Sequence, residues 1–378
     1  MKENKFIYLD NAATTSPHKD VVALYNEIAL NHFGNASSIH ALGVDAYKYL
    51  SLAKEKILRS FNLNDHKVIF TSGATEANNL AIKGIAFKYM NRGKHLITSK
   101  IEHPSVLETF HQLENEFGFT VTYLDVDNEG VINLEQLKKA INDKTTLVSI
   151  MAINNEVGTI EPIEKIADIV HAYPKAILHV DMTQAVGKID FDFNKIDLFS
   201  FSAHKIHGLK GSGALLYKSK LSFQPLLNGG DQEYGFRSGT NDVASACALS
   251  KAVEISKKVQ KKNHEHVNEL NLYLRDLLKD EGIIFNSPTN ASPYILNFSL
   301  LNKKASVVVE ALSRKSIYIS SVSACHSKKE PHSYVVEAMS KNIERAKNTI
   351  RVSFSYENTK EDVEEFAHSF KEIVRSIR

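Results

Sequence analysis

The sequence predicts an α/β protein: a mostly parallel sheet flanked by helices, joined to a smaller α+β C-terminal part. Two observations carry this. Short β-rich runs alternate with amphipathic helical segments for more than half of the 378 residues. A long lysine-rich helical stretch, about residues 242 to 281, then leads into a region with its own strands and a terminal helix.

Taken in order, "KVIFTS", "HLITS", "FTVTYLDV", "TTLVSIMAI", "AILHVDM", "DLFSFS" and "GALLYK" read as strands. Segments such as "ATEANNLAIKGIAFKYM" and "PIEKIADIVHAY" lie between them and carry helical periodicity. Beyond the long helix, "YILNFSL" and "TIRVSFS" are strand candidates. The chain then enters "TKEDVEEFAHSFKEIVRSI", where Val363, Phe366, Phe370 and Ile373 form one stripe and Thr359 is placed to cap the helix. No repeat, low-complexity tract or Pro/Gly-rich linker interrupts this order.

Composition removes several functions. Lys plus Arg at 46 against Asp plus Glu at 44 leaves a net charge of +2, far from the basic balance of a dedicated nucleic-acid binder. The cluster "SKKVQKKNHEH" reads as a solvated helix face. The N-terminus lacks the apolar run of a signal peptide and no stretch is long and apolar enough to span a bilayer, so a cytoplasmic protein is expected. Two cysteines do not make a disulfide framework. Cys247, in "VASACALSKAVEIS", reads as a small buried hydrophobe on a helix. Cys325, in "SSVSACHSKKEP", sits among His326, Lys328, Lys329 and His332, charges that favour a reactive thiolate. On that stretch alone, a surface cysteine without a role reads equally well. A zinc site on Cys325 and His332 lacks a third and fourth ligand nearby, so no metal is expected.

Ligands of open α/β sheets collect at the carboxyl ends of the strands. After "KVIF" comes "TSGATEANN", a turn through Ser72, Gly73, Ala74 and Thr75 into a helix whose free N–H groups suit a phosphate. After "AILHV" come Asp181 and Gln184, and after "DLFSF" comes Lys205 between two histidines, a candidate Schiff-base amine. After "HLITSKI" comes His103. Each alone has an ordinary structural reading as a cap or a loop residue. Together, a phosphate cradle, an aspartate and a lysine at strand ends of one sheet are the parts of a pyridoxal-phosphate site.

"YLDNAATT", "FGNASSIHALG", "FTSGATEANN", "NNEVGTIEPI", "HVDMTQAVGKI", "SFSAHKIHGLKGSGAL", "GGDQEYGFRSGT", "SVSACHS" and "TIRVSFSYENTKEDVEEF" follow one another along the chain. In that order they resemble the motif series of the cysteine desulfurases, in the class-V aminotransferase branch of the fold-type I pyridoxal-phosphate enzymes. The resemblance implies conversion of L-cysteine to L-alanine, with a persulfide formed on Cys325 and passed to an acceptor protein. Selenocysteine lysis or another class-V reaction is the alternative. It implies an N-terminal segment, residues 1–20, that belongs with the small domain, a large cofactor-binding domain over 21–255, and a small domain over 256–378 carrying the Cys325 loop.

By position, the resemblance makes Lys205 the cofactor lysine, Asp181 the partner of the pyridine nitrogen, Gln184 the partner of the ring hydroxyl, and His103 the stacking and proton-carrying residue. Ala74, Thr75, Ser202 and His204 would hold the phosphate, and Thr240 would reach the phosphate of the neighbouring subunit in a homodimer. Asn155 and Arg351 would bind the substrate carboxylate, Asn155 also lying against the cofactor. Tyr234 stands where an arginine is common, Asp231 interrupts a glycine run, Leu209 replaces a proline and Val322 a glycine. The short stretch from Cys325 to Arg351 and the 27 residues after Arg351 point to a dedicated acceptor, such as a tRNA 4-thiouridine synthetase, rather than an iron–sulfur scaffold. Direct contact with nucleic acid or membrane is not expected.

Overall fold

The computed structural model describes residues 6–301, 303–321 and 332–377. The chain opens with strand β1 (Ile7–Tyr8) and helices α1 (Lys19–Asn31) and α2 (Ala41–Ser60). Strand and helix then alternate through β2 (His66–Thr71), α3 (Ala74–Tyr89), β3 (His95–Ser99), α4 (Pro104–Phe117), β4 (Thr120–Leu124), α5 (Leu134–Ala140), β5 (Thr145–Met151), α6 (Ile163–His171) and β6 (Ile177–Asp181). β7 (Leu198–Ser202) and β8 (Gly213–Lys218) precede the 36-residue helix α7 (Val243–Leu278).

β2 to β8 form one seven-stranded sheet in the order β2-β8-β7-β6-β5-β3-β4. β4, β3, β5, β6 and β7 run parallel, while β8 is antiparallel to both of its neighbours. Every residue of β3, β5, β6 and β7 is buried, as expected of strands covered by helices on both faces. Each of the seven strands anticipated from the sequence is present: β3 and β8 match it residue for residue, β2 lies one residue earlier, and β4 to β7 are trimmed by a residue or two. The one antiparallel strand follows "AHKIHGLKGSG", which turns the chain straight back instead of sending it through a crossover helix.

The remainder comprises β9 (Ile283–Phe285), β10 (Ile295–Leu300), α8 (Ala305–Arg314), β11 (Ile317–Tyr318), β12 (Ser320–Ser321), α9 (Tyr334–Ser340), α10 (Ile343–Lys347), β13 (Thr349–Ser353) and α11 (Lys360–Ser376). An antiparallel sheet of order β12-β13-β10-β9 forms here, and β1 pairs in parallel with β11. The first residues of the chain thus lie against its last third. α7 joins the two regions: Ala246 and Cys247 near its start pack with Ile28, Ala46 and Leu50, and Leu270 and Leu274 near its end pack with Phe366 and Phe370. α11 carries the anticipated cap, a full capping box in which Thr359 and Asp362 bond each other's backbone N–H.

Candidate active site

The carboxyl ends of β2, β3, β5, β6 and β7 share one edge of the sheet, and a cavity of about 480 Å³ opens there. At the end of β2 the chain turns at Gly73, whose φ of +152° disfavours any side chain, and enters α3 at Ala74. A side chain at Gly213 would meet the Gly73 Cα at 2.6 Å, so two glycines let β8 pass against this turn. The Ala74 N–H donates to Ser202 Oγ at 2.7 Å, which ties the start of α3 to the end of β7. Ala74, Thr75, Ser202 and His204 line this end of the cavity, at the positive pole of the helix.

His103, Asp181, Gln184 and Lys205 line its middle. Asp181 is the last residue of β6, and Lys205 ends a single 3₁₀ turn after β7. Burial, helped by the nearby Arg351 cation, brings the Lys205 amine down to about 8, although Asp10 and Asp181 oppose the shift. The amine donates to the carbonyls of Ala12 and Ala13 at 2.6 and 2.7 Å. His204 is brought down to about 4 by burial and by the lysines around it, so it is neutral at pH 7 and offers one N–H. His103 caps α4, accepting from the Ser105 N–H at 3.1 Å with Pro104 as the first helical residue. It is thus both a helix cap and a wall of the cavity.

Asn155 and Arg351 also line the cavity. The Arg351 guanidinium donates to the Asn155 carbonyl at 2.8 Å and to Asp10 Oδ1 at 3.0 Å. Three buried polar atoms of the wall, Asn155 Oδ1, Thr183 Oγ1 and Arg351 Nε, have no partner among the described residues. Orphaned polar atoms in a preformed cavity mark groups waiting for a ligand. A helix N-terminus, an amine, a carboxylate and an arginine on one cavity fit pyridoxal phosphate carrying an amino acid.

Several residues of the site escape the sequence reading. Asp10 holds Arg351 from 341 residues away, and only its place in "YLDNAATT" hints at it. Asn78, fully buried on α3, donates to Asp181 Oδ2 at 2.8 Å and to Ser105 Oγ at 2.9 Å, and it accepts from Ser200 Oγ. Ser105 Oγ in turn lies 2.9 Å from His103 Nδ1, so one amide links the two groups that would grip a cofactor ring. Glu156, which lines the cavity, and Glu102, which precedes His103, are buried, and desolvation raises them to about 7 and about 8.

Cys325 and Val322 lie outside the described residues, but both flanks of their segment are in place. Ser320, Ser321 and His332 line the cavity. Thr240 is exposed and is not among the residues lining the cavity in this single chain. Tyr234 receives Lys54 and Lys67 on its ring at 4.3 and 4.9 Å, Asp231 is exposed, and Leu209 packs on the core. No group of residues among those described could hold a metal ion, and no described helix is long and apolar enough to cross a membrane. Cys247 is buried and its thiol is pushed up to about 11, away from reactivity.

The chain belongs to the aminotransferase class-V family, whose model matches residues 7–366. Relatives within that family include proteins named cysteine desulfurases. The cysteine desulfurase IscS of Dictyoglomus turgidum is 39% identical over 377 residues, 98% of this chain and 95% of the relative. A solved NifS-like protein superposes with a TM-score of 0.92 at 35% identity, covering 99% of this chain and 100% of its own. A second solved protein, SspA in complex with cysteine, gives 0.81 at 33% identity and covers 93% of this chain and 100% of its own.

Proposed function

We propose that this protein is a pyridoxal-phosphate-dependent cysteine desulfurase that takes sulfur from L-cysteine and leaves L-alanine. The observation that carries this reading is the convergence of Lys205, Asp181, His103 and Arg351 on one cavity whose unpartnered wall atoms await a ligand.

Ala74, Thr75, Ser202 and His204 would hold the phosphate, Asp181 the pyridine nitrogen, Gln184 the ring hydroxyl and His103 the ring face. When bound, the cofactor supplies an electron sink that stabilises negative charge beside the substrate amino group. Arg351 and Asn155 bind the substrate carboxylate and fix which Cα bond faces the Lys205 amine. That amine, already lowered to about 8, takes the Cα proton. The Cys325 thiolate attacks the substrate sulfur. A sulfur–sulfur bond forms as the carbon–sulfur bond breaks, the electron pair stays with Cβ, and a proton delivered to Cβ together with return of a proton to Cα gives alanine. The persulfide on Cys325 passes to an acceptor protein.

The assembly is a homodimer in which Thr240 reaches the partner's phosphate site. Phe33 and Ile39, 72% and 98% exposed, with Leu42, Val44 and Tyr47 nearby in sequence, support this, because such an apolar face rarely stays in water. The cytoplasm is the expected compartment, where thiols stay reduced. A tRNA thiolation enzyme and an iron–sulfur scaffold are the two acceptors that a pull-down on the persulfide-loaded protein separates.

The test is release of alanine and sulfide from L-cysteine with a reductant present. Wild type releases both in equal amounts, and Lys205→Ala and Cys325→Ala each stop. Alanine formation that survives Cys325→Ala unchanged removes the persulfide route.

A further inference from the structure

Lys188 is a buried amine with no place in the mechanism above. It is 9% exposed, and no carboxylate pairs with it among the described residues. Burying an ammonium without an acid is costly, so such a group persists where something other than folding uses it. Its Nζ donates to Gln184 Oε1 at 2.9 Å, and Gln184 Nε2 donates to the Ala12 carbonyl at 3.0 Å. The same carbonyl accepts from Lys205 Nζ.

These contacts leave one orientation for the Gln184 amide. Turned over, it would set its NH₂ against the Lys188 donor and its oxygen against the Ala12 carbonyl. As held, one N–H is spent on Ala12, and the other is left for the cavity that Gln184 lines. The acceptor face is closed by Lys188.

The surroundings of Lys188 suit a cation serving this site. Its Nζ lies 5.6 Å from the centre of the Tyr294 ring. A second, smaller cavity of about 40 Å³ adjoins it, walled in part by Asn11, Tyr294, His18 and His207, with Asn11 Oδ1 and the Tyr294 hydroxyl buried and unpartnered. Lys205 lines both cavities. The other charges acting on Lys188 are the cations Lys205 and Arg351, and with burial they bring its amine down to about 7. An anionic oxygen on the ligand side of Gln184 would restore the proton.

We propose that Lys188 is a positioning residue for the cofactor: it locks Gln184 as a hydrogen-bond donor toward the ring oxygen and places a positive charge behind that donor. This rests on the reading of Gln184 as the partner of the ring hydroxyl.

The test compares wild type, Lys188→Met, Gln184→Ala and the double variant. Two quantities are read: the dissociation constant of pyridoxal phosphate from the full chain, and the pH midpoint of the bound cofactor's absorbance change. Lys188→Met should weaken binding about tenfold, the value of one charge-assisted hydrogen bond, and should move the midpoint upward. In the Gln184→Ala background the same substitution should change binding by about twofold or less, because the two residues act as one unit. Equal losses in both backgrounds, or no loss beside an intact Gln184, overturn the proposal. Lys188→Gln, which keeps a donor but no charge, should retain most of the affinity while still shifting the midpoint, and it stands in where the methionine variant does not fold. If Gln184→Ala alone changes neither quantity, the role of Gln184 itself is wrong, which is a different failure.

Discussion

Glu102 sits directly before His103 with no exposure to solvent, and its only partnered oxygen accepts from Ser99 Oγ at 2.6 Å. Burial lifts its carboxyl from an ordinary 4.5 to about 8, and the Asp181 charge adds to this. A carboxyl raised on folding costs nothing below its unfolded pKa, where both states are protonated. Above that point the unfolded chain ionises and the folded one does not, so stability falls as pH rises from 4.5 towards 8. With 1.36 kcal/mol per pKa unit, the penalty is about 1 kcal/mol at pH 5 and on the order of 3 kcal/mol at pH 7, levelling above pH 8. Glu102→Gln keeps the acceptor for Ser99 and removes the titration. Urea unfolding of cofactor-free wild type and variant at pH 5, 7 and 8.5, at one protein concentration, should show the variant's advantage growing by roughly 2 kcal/mol or more across the range. Glu156, raised by burial, cancels in the difference, whereas Glu161 is raised in part by the Glu102 charge, so removing that charge adds to the variant's advantage at high pH. A difference that stays flat with pH, or narrows as pH rises, would refute the assignment of Glu102 as a neutral acid.

Three further outcomes follow from the site and its surroundings. Arg351→Lys should raise the KM for L-cysteine about tenfold or more, because a point charge cannot grip a carboxylate with two parallel bonds; an unchanged KM places the substrate carboxylate elsewhere. Asn78→Ala removes two buried hydrogen bonds and one half-buried one and should cost roughly 2–4 kcal/mol in unfolding while loosening the cofactor, and a loss of stability with cofactor affinity intact would confine Asn78 to the core. Phe33→Asp with Ile39→Asp should yield a monomer of weakened cofactor affinity by sedimentation and absorbance, whereas a persisting dimer shows that this apolar face is not its interface.

The parts of the fold that were legible in the sequence are those whose periodicity answers to burial. β5 is buried along its whole length and α11 carries a clean stripe with its cap, and both declare themselves by pattern. α1 and α2 do not, because Leu30, Leu42, Val44 and Tyr47 are exposed in the single chain and blur the stripe that would mark a core face. Lys205, Asp181 and His103 were legible because a strand end followed by a chemically able residue is a local signal. Asn78 and Lys188 were not: an amide and a lysine inside helical or turn segments look like solvated surface until the sheet closes over them. Asp10 and Arg351 meet because the first residues of the chain bond to Ser353, the last residue of β13, a contact that sequence spacing cannot express.

Under the proposed function, the pairing of β13 with β12 would let one site serve both the substrate and the Cys325 thiol. Arg351, on β13, is paired in register with Ser320 on β12, one residue from Ser321, the last residue described before the segment that carries Cys325. On the far flank of that segment, Ser333 Oγ donates to Glu156 Oε2 at 2.5 Å and the Tyr334 hydroxyl donates to the Glu102 carbonyl at 2.6 Å. Glu156 follows Asn155 and Glu102 precedes His103, so both anchors are neighbours of residues that line the cavity. Arg351 and the described flanks of the Cys325 segment are therefore tied to neighbouring peptide units, and a shift of β13 moves Arg351 and the nearer flank together. Under that proposal, registration between a bound amino acid and the Cys325 thiol would need no separate device, because the residues that would hold one also anchor the described flanks of the other's segment.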